Sequence, residues 1–195
     1  MSEAHEKQTL HRYLQNARGV LLWKLEGLSD YDIRRPVTPT GTNLLGLVKH
    51  CAGVECGYFG EVMDRPFPGQ DDLDWHDDEL GAGMYATAAE SRERVTDFYR
   101  RVWAHSDATI GELPLDASGT VPWWPEERRH PTLHTLLVHT IQETARHAGH
   151  ADIIRELIDG AAGLREGVSN MPAEAGSAAW KQHYDKLDQI ARSVR

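Results

Sequence analysis

Glu143, His147 and His150 stand on successive turns of one stretch, Gln142-Glu143-Thr144-Ala145-Arg146-His147-Ala148-Gly149-His150. A four-residue offset on a helix places Glu143 and His147 on one face, about 6 Å apart along the axis. A carboxylate and an imidazole so placed can bind one divalent ion. His50, from a segment packed alongside, can complete a three-ligand set. Three protein ligands and one open position make a catalytic type of metal centre, where water or substrate takes the free place. His150 is the rival third ligand; it can equally act as acid or base beside the ion, or hold a ligand by a hydrogen bond. The competing readings are a solvated Glu–His pair and hydrogen-bonded core histidines. At this level both stay open.

The elements that position these groups follow from hydrophobic spacing. A long helix is predicted from about Thr132 to Asp159, with Leu133, Leu136, Thr140, Ile154 and Leu157 on its buried stripe. Continuing that stripe through the gap passes Glu143, His147 and His150, and polar groups facing a core are costly unless something satisfies them. A first helix is predicted from about Glu3 to Leu28, through Leu10, Leu14, Ala17, Leu21 and Leu25. Thr40 or Thr42 can cap a second, with Leu44, Leu47, Val48, Cys51, Val54, Tyr58 and Val62 inward and His50 inward or at the stripe's edge. A third runs from roughly Ala86 to Asp107, and a short last one from about Ala178 to Val194 carries Trp180, Tyr184, Leu187 and Ile190, enough to dock on the bundle. No alternating strand pattern stands out. The expected fold is all-α: an antiparallel up-down four-helix bundle with an additional short C-terminal helix. Residues 1–195 form one domain on this reading, with a core over about 3–160 and an extension over about 164–195.

Two connections invite function. The loop from Phe67 to about Met84 holds Trp75 within the acidic run Asp71–Glu79, and loops of this length are often lids or binding loops. Trp123 and Trp124, flanked by Pro122 and Pro125, can line a pocket or plug the bundle end.

Composition excludes several classes. A net charge of −9 with no basic face argues against a nucleic-acid binder. No apolar run reaches the ~20 residues of a membrane span, and the polar, acidic start lacks the pattern of a secretory signal. Cys51 and Cys56 point to different helix faces and are not expected to pair, which fits a reducing cytoplasm. No phosphate-binding glycine loop, Gly-x-Ser-x-Gly turn or His-Glu-x-x-His motif occurs. Arg146 and Arg155 read as partners of nearby carboxylates, and His139 is rotated away from His147.

The segments Asn43-Leu44-Leu45-Gly46-Leu47-Val48-Lys49-His50-Cys51-Ala52-Gly53-Val54-Glu55 and Gln142 to Glu156 resemble the DinB/YfiT-like superfamily of metal-binding four-helix bundles. The likeness covers roughly Leu10 to Gly160 and is strongest to the actinobacterial branch related to mycothiol-dependent transferases and maleylpyruvate isomerase. The resemblance implies a metal held by one histidine of the second helix and two residues one turn apart in the fourth, here His50, Glu143 and His147. Many members have histidine at the Glu143 position, whereas the isomerase relatives use a carboxylate there. Zinc is the first expectation, and an oxygen ligand admits nickel, manganese or iron. The His150 position is not a ligand in many relatives.

The resemblance therefore implies a cytoplasmic, metal-dependent enzyme that transfers or uses a low-molecular-weight thiol such as mycothiol on a small electrophile. His150 is its expected proton donor or acceptor. A non-catalytic metal-binding stress protein and a metal-dependent hydrolase are the alternatives. Homodimerisation is a further expectation, since relatives often pair.

Overall fold

A computed structural model describes residues 2–75, 79–169, 171–172 and 176–194. Its helices are α1 (Glu3–Trp23), α2 (Asp30–Arg34), α3 (Leu44–Glu55), α4 (Arg92–Glu112), α5 (Leu133–Asp159) and α6 (Ser177–Ser193). Among the described residues no strand forms; isolated bridges join Ser118 to Thr132 and Arg165 to Val168. None of the helices is long and apolar enough to cross a membrane.

Side-chain caps start the site-bearing helices. Asn43 accepts from the Gly46 amide, Ser91 from Arg94 and Thr132 from Thr135. The cap of α3 is thus Asn43, not Thr40 or Thr42. Helix α4 begins at Arg92, six residues later than Ala86, because Glu90 is drawn into another task. Its carboxylate accepts from the Thr87 and Asp74 amides and the Lys49 ammonium, holding the preceding residues in a turn. Gly160, at φ 79°, ends α5 in the left-handed conformation that suits glycine.

Helices α1, α3, α4 and α5 make the bundle, two running each way. His134 meets Glu6 near the starts of α5 and α1, and Lys24 meets Asp152 near their ends, so these two run parallel. Helix α4 runs against α1, pairing Asp107 with His11 at one end and Arg92 with the Leu28 carbonyl at the other. Helices α3 and α4 are also parallel, which forces the connection over 56–91 to return along the length of the bundle. That return carries Trp75 back beside α3.

The core divides in two. One apolar cluster gathers Leu21, Leu44, Leu47, Val48, Phe98 and Ile154; the other gathers Leu14, Phe59, Ile110, Leu133, Leu136 and Leu137. A polar belt crosses the bundle between them, with Arg18, Glu55, Ser106, Thr109, Thr140, Thr144 and His147 all buried. Arg18 donates to both Glu55 oxygens, and Tyr99 donates to the same carboxylate. The buried register of α1 is Leu14, Arg18 and Leu21, and Ala17 is only half-buried.

Three expectations about packing fail, the first being that His150 faces inward on the stripe of α5: it is exposed. Leu157 is 67% exposed, because the buried face of α5 ends through Ala151, Ile154 and Arg155. Helix α6 buries none of its residues, and its stripe stands open, with Tyr184 71% and Ile190 52% exposed. Helical period shows that a face is apolar; it does not supply the surface that covers it.

Candidate metal centre

The site forms where α3 and α5 run side by side. One donor atom each from His50, Glu143 and His147 comes together, all within 4.8 Å of one another. His147 Nε2 lies 3.0 Å from Glu143 Oε1, and His50 Nε2 lies 3.6 Å from the same oxygen. The two imidazole rings meet edge to face at 4.7 Å between centroids. His147 is buried, whereas His50 and Glu143 are partly accessible.

The electrostatics favour deprotonated donors. Burial, together with the neighbouring His50, lowers the His147 pKa to about 4 against the pull of Glu143. Burial likewise lowers that of His50. Burial opposes the charge on Glu143, but hydrogen bonds from Arg146 and His147 outweigh it and hold the carboxyl near 2. Two neutral imidazoles and one carboxylate are the protonation states that a metal ion needs. The donor set therefore fits a divalent cation.

Supporting contacts surround the donors. Arg146 donates to both Glu143 oxygens, at 3.0 and 3.3 Å, the carboxylate pairing expected of it. His150 is exposed and its Nδ1 lies 3.3 Å from His147 Nδ1, on the side of the ring away from Glu143. Arg155 is buried instead of solvent-paired. It bonds Asp159 and the Trp23 and Lys24 carbonyls, tying the end of α5 to α1.

His50 also lines a cavity of about 380 Å³, walled by Gly53, Cys56, Tyr58, Trp75 and Trp123. Trp75 lies over Gly53, where an added Cβ would come within 2.9 Å of the indole; the glycine makes room for the ring. The indole N–H donates to the Gln70 carbonyl at 2.9 Å. Lys49 beneath it pairs with Glu90 at 2.9 Å and donates to the Asp74 carbonyl, pinning the returning chain to α3. Of the acidic run Asp71–Glu79, His76, Asp77 and Asp78 lie outside the described residues.

Cys56, at the cavity wall, has its thiol pushed up to about 12, by burial first and then by Glu55 and Glu61. Burial raises Cys51 as well. Both cysteines are free and protonated at neutral pH, so neither is an activated nucleophile.

Periodicity places Tyr58 inward without showing that it lines a cavity. After Glu55 the helix widens into a π-turn, Cys56–Gly60, which carries Tyr58 to the cavity wall. Such turns recur at functional sites; the glycines at 57 and 60 were the available signal. Of the tandem tryptophans, Trp123 lines this cavity, while Trp124 donates to the Tyr58 hydroxyl at 3.2 Å and turns to the other side. The two tryptophans thus face different cavities.

Residues 9–160 match the family model described as mycothiol-S-transferase. A crystal structure of a conserved protein from Enterococcus faecalis is similar with a TM-score of 0.62 at 17% identity, over 78% of this chain and 96% of that chain. At that identity the likeness shows the fold alone. No curated protein matches. With more than half its length matched by one family model, the chain belongs to the mycothiol-S-transferase family.

Proposed function

We propose that this protein transfers a low-molecular-weight thiol, mycothiol being the one its family's description names, to a small electrophile at a divalent metal centre held by His50, Glu143 and His147. The observation that carries the reading is the convergence of those three donor atoms within 4.8 Å beside an aromatic-walled cavity. The inert state of Cys51 and Cys56 supports it, since the sulfur nucleophile must then come from outside. A bound divalent ion supplies a positive charge that lowers the pKa of a thiol and favours its thiolate.

The remaining work belongs to the chain. Glu143 brings the negative charge of the donor set, and Arg146 fixes the direction of its oxygens. Were His147 Nε2 to hold the ion, its Nδ1 would carry the proton and would donate to His150 Nδ1. That contact would occupy the lone pair His150 needs as a base. The geometry therefore favours His150 as a positioning residue over the expected acid–base role. Trp75, Trp123 and Tyr58 line the cavity and offer aromatic faces to an apolar electrophile.

Elemental analysis of tag-free protein is the first test. About one equivalent of metal in wild type, and its loss in both Glu143→Ala and His147→Ala, is expected. Consumption of an electrophile should then require both metal and added mycothiol. Turnover without thiol would instead indicate hydrolysis, and failure to take up any metal would remove the centre.

A further inference from the structure

A second cavity, of about 500 Å³, opens beside the start of α5 and is lined by Trp124, Arg128, His130, His134, His139 and Gln142, among others. None of its lining residues is acidic, in a chain with 30 Asp and Glu residues and a net charge of −9. Its nitrogen donors are unevenly committed. His134 Nε2 is held by Glu6 at 3.1 Å, and His130 Nδ1 by the Thr120 hydroxyl at 3.2 Å, leaving His130 Nε2 over. Arg129 pairs with Glu126 at 2.6 Å, yet Arg128 beside it has no carboxylate partner among the described residues. The first amides of α5 are already bonded to the Ala117 and Leu115 carbonyls and the Thr132 hydroxyl, so recognition here falls to side chains.

This cavity shares a wall with the first. Tyr58 lines the metal-side cavity, Trp124 lines the second, and the two are joined by the Trp124-to-Tyr58 hydrogen bond. His139 packs edge-on against both rings, at 4.9 and 5.1 Å, one turn before Glu143. Trp124, only half-buried, can take the apolar body of a ligand whose charged end reaches Arg128. Guanidinium groups are well suited to carboxylates.

We infer that the second cavity receives the carboxylate end of the electrophile, with Arg128 and His130 donating to the carboxylate and Trp124 facing the apolar body. This rests on the thiol-transfer reading above. The test compares a chlorodinitrobenzoate with the chlorodinitrobenzene that lacks only its carboxylate, using mycothiol and metal-loaded protein. In each, a carbon–sulfur bond forms as the carbon–chlorine bond breaks; chloride leaves with the bonding electrons and the thiol proton goes to buffer.

In wild type the KM for the benzoate is expected about tenfold below that for its neutral counterpart. Arg128→Ala should erase that ratio, and Arg128→Lys should restore part of it. Calorimetric binding of the benzoate without thiol should weaken about tenfold in Arg128→Ala. Arg128-dependent binding with no turnover of either compound would keep the cavity assignment and overturn thiol transfer. Equal KM values in wild type, or benzoate binding indifferent to Arg128, would overturn the inference itself.

Discussion

At the scale of single residues, the donor set is prepared by its surroundings. His147 is buried and neutral, Glu143 is ionised and braced by Arg146, and His50 faces both from another helix. His150 touches the site only through His147 Nδ1. Removing an outer hydrogen-bond partner of a ligating histidine weakens metal binding by about 10- to 100-fold. His150→Ala is accordingly expected to keep the metal at full loading but surrender it more readily in a chelator competition. Complete loss of metal would make His150 a ligand; unchanged affinity would deny it any positioning role.

At the scale of elements, the described parts of the return over 56–91 bring Trp75 to the cavity beside His50. This return is closed on α3 by Glu90, which takes hydrogen bonds from Lys49, Thr87 and Asp74. Burial opposes ionisation of Glu90, but those hydrogen bonds outweigh it and hold the carboxyl below its ordinary value of 4.5. A carboxylate depressed on folding contributes stability that is complete above the unfolded value and is lost as pH falls through the folded one. Below about pH 4.5 the amides of Asp74 and Thr87 should therefore lose protection against hydrogen exchange, and in Glu90→Gln they should be poorly protected at every pH. Persistent protection in that variant would show that the return is held elsewhere. Gly46 adds a steric condition, since a Cβ there would overlap the Met84 carbonyl of the same segment.

At the scale of the whole molecule, a polar belt divides the core and an added helix stands apart. The Arg18–Glu55 pair and the hydroxyls of Ser106, Thr109, Thr140 and Thr144 occupy the level at which His147 enters the bundle. Helix α6 shares none of this, because no residue of it is buried. Deleting residues 177–195 should move the melting temperature by less than about 2 °C, since little apolar surface leaves water there. A fall of more than about 5 °C would show that α6 is packed in solution.

Spacing and residue type by themselves determined the all-α class, the four bundle helices and the chemical character of the Glu143–His147 turn. Each depends on one segment's own period: i and i+4 share a face wherever the helix ends up. The stripe through Thr140 and Ile154 likewise announced that His147 would face inward, though it wrongly carried His150 with it. Tertiary structure decided everything that needs two segments at once. Only packing of α3 on α5 brings His50 to within 3.6 Å of Glu143, and only the parallel course of α3 and α4 lays Trp75 over Gly53. Arg18, Lys24 and Lys49 could not be placed inside from composition, because burying a charge is tolerable only beside a partner, and Glu55, Asp152 and Glu90 are remote in sequence. The stripe of α6 marks the converse limit. An apolar face is written in one segment, whereas its cover belongs to another surface.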